Sequence, residues 1–173
     1  MGILVLISGP NNSGKSAFAE KIAGNANGEK YYIATMIPST DDNFLRIKKH
    51  RQQRDKYGFF TLELPNQVST APVTSNSTVL LEDVSNLLAN GIFGNGSDAD
   101  SVFQDICQLL KRCRAVIAVT ISVSDSGEYD EETAEYIKSL HEINQKLFNI
   151  ADIAITMRDN VPVYQKGEPY DCY

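Results

Sequence analysis

The sequence predicts an α/β fold, a mostly parallel sheet with helices on both faces. Three observations carry that expectation. Short apolar runs alternate with stretches of helical periodicity, the runs are apolar throughout rather than at every second residue, and a glycine-bearing turn joins the first run to the first helix. The first run, Ile3–Ser8, reads as a strand, residues 16 to about 23 as a helix, and residues 31–35 as the next strand. A polar helix over about residues 41–56 follows, with Ser39 or Thr40 as its cap. Residues 59–63 and the buried run Thr78–Glu82 are strands, and residues 84–93 and 100–113 are helices. Ala115 opens a further buried strand to Thr120. The longest helix covers Glu131–Ile150, with Ile137, Leu140, Asn144, Leu147 and Ala151 along one face. Strands at 152–156 and 161–164 close the set. Residues 65–77 and 122–130 read as loops, and residues 91–97 as a mobile turn.

At 173 residues the chain suits one domain, spanning 1–173, with one sizeable core. No segment is long and apolar enough to span a bilayer, and no basic stretch precedes the first apolar run as a signal peptide would require. The net charge of −6 argues against a general nucleic-acid binder. The three cysteines, Cys107, Cys113 and Cys172, are odd in number and form no Cys-x-x-Cys, so a disulfide framework and a zinc site both lack support. Cys107 and Cys113 lie among Val102, Phe103, Ile106 and Leu110 at helical spacing, the pattern of a buried helix face. A reducing cytoplasm is the simplest setting.

Residues 9–16 read Gly-Pro-Asn-Asn-Ser-Gly-Lys-Ser directly behind the first strand. The spacing G-x-x-x-x-G-K-S after a strand and before a helix is the phosphate-cradling loop of P-loop NTPases. Gly9 and Gly14 let the backbone curl until its N–H groups converge on one anion, with Pro10, Asn11, Asn12 and Ser13 forming the rest of the cradle. Lys15 sets a charge between the outer phosphates, and the Ser16 hydroxyl can hold Mg2+. The helix that starts here adds its positive end to the same spot.

Glu82 ends a buried strand, where P-loop enzymes bring a carboxylate to the metal ion or its water shell. Asp83 fits better as the cap of the helix that follows. The stretch 46–54 is the odd feature of an acidic chain: Arg46, His50 and Arg54 stand four residues apart on one helix face. A cationic surround disfavours the protonated imidazole, and a neutral ring is a nucleophile against which the arginines can hold a triphosphate. A solvated basic face, a nucleic-acid-contacting helix without interleaved aromatics, and a merely hydrogen-bonding histidine remain open on this pattern. His141, on the long amphipathic helix, reads as structural or exposed.

Taken in order, the loop, Tyr32-Ile-Ala-Thr35, Asp41-Asp42, Arg46-Ile-x-x-His50-Arg51, Thr61-Leu-Glu63, Leu80-Leu-Glu82 and Asn86-Leu-Leu88 form a specific combination. The chain resembles the bifunctional adenosylcobinamide kinase / adenosylcobinamide-phosphate guanylyltransferase family of cobalamin biosynthesis, best over residues 3–93 and faintly over 115–165. Asn144-Gln-Lys-Leu147 and Ala151-Asp152 match more loosely. The resemblance implies that His50 becomes covalently guanylylated, that the loop binds phosphates with Lys15, and that Ser16 and Glu82 serve the magnesium ion. Glu63 and Glu82 fall where the family contacts its nucleotide, and Thr35 and Arg51 lie in the matching segments that join those contacts. The family phosphorylates the aminopropanol hydroxyl of adenosylcobinamide with ATP or GTP, then moves GMP from GTP onto that phosphate. Its known members assemble as trimers. Two positions depart from the pattern: Asn12 stands where the family usually carries Arg, and Ile121-Ser-Val-Ser124 stands where it runs into Asn-Glu-Val-Gly. Two other readings of the loop are a single-activity small-molecule kinase and a non-catalytic GTP-binding regulatory module.

Overall fold

The computed structural model describes residues 1–38, 41–124 and 126–169, the side chains of Asp42, Asn43, Arg46, His50 and Gln53 excepted. The expected helix caps Ser39 and Thr40, and Cys172, lie outside the described residues. Seven strands form one sheet: β1 (Ile3–Ser8), β2 (Lys30–Ala34), β3 (Phe60–Glu63), β4 (Thr78–Glu82), β5 (Ala115–Val119), β6 (Ile153–Arg158) and β7 (Val161–Lys166). Their order is β3-β2-β4-β5-β1-β6-β7, parallel throughout except for β7, which runs back along β6. The helices are α1 (Lys15–Gly24), α2 (Asp41–Arg54), α3 (Val84–Asn90), α4 (Ala99–Arg112) and α5 (Glu131–Ile150).

Alternate side chains of the central strands feed two cores. On one face Leu4, Leu6, Leu81, Val116 and Ala118 pack with the apolar sides of α3, α4 and α5. On the other, Val5, Ile7, Leu80, Ile117 and Ile155 pack with Ala19 and Ala23 of α1. Strands buried on both faces cannot show a two-residue alternation of polarity, which is why they read as continuous apolar runs. Three helices start on an aspartate that accepts a backbone N–H: Asp83 from Asn86, Asp98 from Ser101 and Asp130 from Thr133.

Two local readings need correction. The helix expected to reach residue 93 is α-helical only to Asn90 and continues as a π-helix over Gly91–Asn95, so the expected mobile turn at 91–97 is helical over its first five residues. On α4 the buried stripe is Val102, Ile106, Leu109 and Leu110, so Cys107 falls to its flank and is only half-buried, whereas Cys113 is buried just past the helix end. Both are free thiols. Among the described residues no helix is long and apolar enough to cross a membrane.

Asn144 of α5 sits beside the end of β5. Its Oδ1 accepts from Thr120 Oγ1 at 2.7 Å and its Nδ2 donates to Ile121 O at 3.1 Å. Thr120 is fully buried. Asn144→Leu keeps the volume but orphans both partners, and is expected to cost about 2 kcal/mol in urea denaturation.

Candidate active site

The strand order decides what surrounds the phosphate cradle. Glu82, at the end of β4, pairs in register with Ala34 of β2 on one side and Val119 of β5 on the other, and β5 lies next to β1. The carboxyl end of β4 therefore stands one strand away from the loop that leaves β1, the crevice where ligands bind in open α/β sheets. Ser16, at the start of α1, donates from Oγ to Glu82 Oε1 at 2.6 Å, joining groups 66 residues apart.

The cradle itself is held open by its glycines. Gly14 takes φ +86° and Gly9 φ +153°, and a Cβ on Gly9 would lie 2.7 Å from Met157 O. Lys15 folds back so that Nζ donates to Pro10 O at 2.7 Å. Burial lowers its pKa, partly offset by the nearby carboxylates of Glu82 and Asp83.

From the Ser16 end, a cavity of about 340 Å³ extends between the carboxyl ends of β2, β3 and β4 and the helix α2. Ser16, Glu82, Glu63, Arg51 and Arg54 all line it. Arg51 and Glu63 form an exposed ion pair, which is worth little to stability. Arg54 is 5% exposed, its guanidinium carbon 3.5 Å from the centroid of the Tyr32 ring and an NH1 4.0 Å from Glu20 Oε1. It holds α2 against the core as a stacked cation. Thr35 is fully buried: its hydroxyl accepts from Asp83 N–H at 2.8 Å and faces the carbonyls of Glu82 and Asp83. It clamps β2 to β4 and does not line the cavity. Arg46 and His50 lie in α2, and their side chains are outside the described residues.

Several contributors escape sequence reasoning. Tyr32, Met36, Ile37, Pro38 and Pro65 form the cavity wall, and Asn90 Nδ2 donates to both Thr35 O and Pro65 O, tying together the loops that follow β2 and β3. For Met36, Ile37, Pro38 and Pro65 the usable signal was their position just past strand carboxyl ends, with a proline in each loop.

Glu82 is the electrostatic centre of the site. Its Oε2 is buried without a hydrogen-bond partner. Burial, then the neighbouring Asp83 charge, raises its pKa from 4.5 to about 7. The folded protein thus keeps a proton that the unfolded chain has released, so this group's contribution to stability is present below pH 4.5 and lost as pH rises through about 7. In nucleotide-free, chelator-treated protein, Glu82→Gln is expected to be more stable than wild type at pH 8 by on the order of 2 kcal/mol, and no more stable at pH 4.5. Urea midpoints of both proteins at the two pH values check it.

This is an anion cradle, a carboxylate and a walled cavity within one crevice, the outfit of a nucleotide-dependent transferase. The family model for cobinamide kinase / cobinamide phosphate guanyltransferase matches residues 5–163, enclosing every one of these groups. The chain belongs to that family. It is similar to the bifunctional adenosylcobalamin biosynthesis protein CobU of Escherichia coli (strain K12), 28% identical over 164 residues, covering 84% of this chain and 90% of the relative. The protein of the same description from Salmonella typhimurium (strain LT2) is 27% identical over 169 residues, covering 87% and 92%. Among solved structures, an ATPase from the type III secretion system of pathogenic bacteria shares the fold, with a TM-score of 0.55 at 14% identity. That match covers 90% of this chain and 52% of the ATPase, so the chain spans about half the ATPase's length. As a member of the kinase/guanyltransferase family, the protein is a transferase of cobalamin biosynthesis with a P-loop nucleotide site.

Proposed function

We propose that the crevice carries out both reactions on adenosylcobinamide, with Lys15 and His50 as catalytic residues. The observation that carries this reading is the Ser16–Glu82 hydrogen bond, which makes the phosphate cradle one wall of the same 340 Å³ cavity that Glu63, Arg51 and Arg54 line. In the first reaction the aminopropanol hydroxyl oxygen attacks the terminal phosphorus of ATP or GTP. The bond to the bridging oxygen breaks and the nucleoside diphosphate leaves. Lys15 gives up its contact with Pro10 O and meets the outer phosphates, where charge grows in the transition state.

In the second reaction an imidazole nitrogen of His50 attacks the α-phosphorus of GTP and pyrophosphate leaves. The cobinamide phosphate oxygen then attacks that phosphorus, the P–N bond breaks, and adenosyl-GDP-cobinamide forms. Support comes from the register of α2: His50 stands one turn beyond Ile47 and one turn before Arg54, and both of those line the cavity. Arg51 and Arg54, with Arg46 on the same helix, supply positive charge for the phosphates, and Glu63 and Glu82, which line the same cavity, contact the nucleotide in this reading.

Mg2+ fits the residues present. Ser16 offers a hydroxyl, Glu82 an unpartnered buried oxygen, and among the described residues no cluster of three or more His, Cys, Asp or Glu could bind a metal without the nucleotide. The ion would arrive with the phosphates and neutralise their charge. The working form we propose is a cytoplasmic homotrimer acting on a corrinoid rather than on nucleic acid.

The test is incubation with GTP labelled at the α-phosphate, Mg2+ and adenosylcobinamide. Label retained on denatured protein, together with a GDP-linked corrinoid product, is the expected result. Turnover of GTP without either product would overturn the reading.

A further inference from the structure

On the opposite flank of the cradle from Glu82 lies a second cleft, of about 470 Å³, lined among others by Asn11, Ser13, Ser122, Arg158 and Asp159. Its volume is that of an ordinary small-ligand site. Its walls are fastened to the cradle. Asn160 N–H donates to Ser13 O at 3.1 Å, and Ser122 N–H to Gly9 O at 3.0 Å. Asp159 and Asn160, the turn between β6 and β7, both take left-handed backbone angles, φ 48° and 64°, which hold that turn against the loop. Ser13 is 3% exposed, and its hydroxyl has no hydrogen-bond partner.

The two reactions proposed above make opposite demands on one cradle, and the inference rests on that reading. Phosphoryl transfer needs the terminal phosphorus beside the acceptor and the nucleoside at the far end of the phosphate chain. Guanylyl transfer needs the α-phosphorus, and with it the nucleoside, on the acceptor's side. A cavity at the Ser16 end and a cleft at the Asn11–Ser13 end give the nucleoside a seat on either side.

We propose that the cleft between the cradle and the β6–β7 turn seats the base of the phosphoryl donor, leaving the Glu82 cavity to the acceptor during that step. The base it fits is guanine. The Asp159 carboxylate accepts from the paired N–H groups of guanine's N1 and N2, and the Arg158 guanidinium donates to O6 and N7. Adenine offers neither that donor pair nor that acceptor pair.

The experiment uses the full chain and an 8-azido-GTP whose α,β bridge is methylene, so that GMP cannot be transferred. After irradiation and trypsin digestion, label is expected on the fragment of residues 159–166 or on 1–15. Label confined to the fragment of residues 57–111, which carries Glu63 and Glu82, would overturn the inference. In parallel, Asp159→Ala is expected to lower the ratio of kcat/KM for GTP over ATP in phosphoryl transfer about tenfold, mainly through KM, which is what one bidentate base contact supplies. An unchanged ratio would also overturn it. Wild-type protein that makes no phosphorylated corrinoid with either nucleotide would instead overturn the function proposed above, while the photolabel still reports where the base sits.

Discussion

His50→Ala is expected to lose all retention of label from α-labelled GTP while still accumulating phosphorylated cobinamide. The two reactions share the cradle but not the nucleophile. Phosphoryl transfer brings the acceptor's own hydroxyl to the terminal phosphorus, so an imidazole on α2 has nothing to attack there. Guanylyl transfer through a phosphoramidate has no path once the ring is gone, and its rate should fall on the order of 10⁴-fold or more. Denaturing gels read the covalent step, and separation of the corrinoid products reads the two reactions apart. Three other results would each redirect the assignment. Label surviving in His50→Ala points to another nucleophile. Phosphorylation by wild type without any covalent label leaves a single-activity kinase. Tight GTP binding without consumption leaves a regulatory module.

Lys15→Ala should remove both reactions together, each by on the order of 10³-fold. At rest the lysine donates a hydrogen bond, 2.7 Å long, to Pro10 O on the loop it belongs to. Burial already disfavours its charge, so a bound polyphosphate restores what desolvation removed. Its loss leaves the phosphates facing Glu82 and Asp83 with one cation fewer, and that harms either direction of transfer. Because the lysine's hydrogen bond stays within its own loop, urea denaturation should show little change, which separates lost chemistry from lost folding. The contrast between the two variants, one activity lost against both, is the sharpest reading of how one cradle serves two reactions.

Much of the architecture was legible from the chain alone. Strands buried on both faces announce themselves as unbroken apolar runs, and each capping aspartate accepts from a backbone N–H three residues on. The phosphate cradle is of the same kind: eight consecutive residues, whose chemistry comes from backbone N–H groups and two glycine torsions, carry their own instructions. Glu82 was legible for a related reason, since a carboxylate closing a buried run falls at the carboxyl end of its strand. Where reading failed, the failure was local and small: a turn expected from residue 91 is a π-helix over its first five residues, and one cysteine fell beside the buried stripe.

Other matters required the sheet. The order that sets β4 next to β5, the neighbour of the cradle's own strand β1, with β2 beyond β4, is fixed by how helices cover both faces, and no local pattern encodes it. That order brings Ser16 to a carboxylate 66 residues away, stacks Arg54 on Tyr32 in the wall of the cavity, and buries Thr35 as a clamp between strands. It also presses the β6–β7 turn onto the loop, opening the second cleft beside the first half of the cradle. Short-range geometry is settled by torsions and hydrogen bonds between near neighbours, whereas a site assembled from four strand ends exists only after long-range packing has chosen which ends meet.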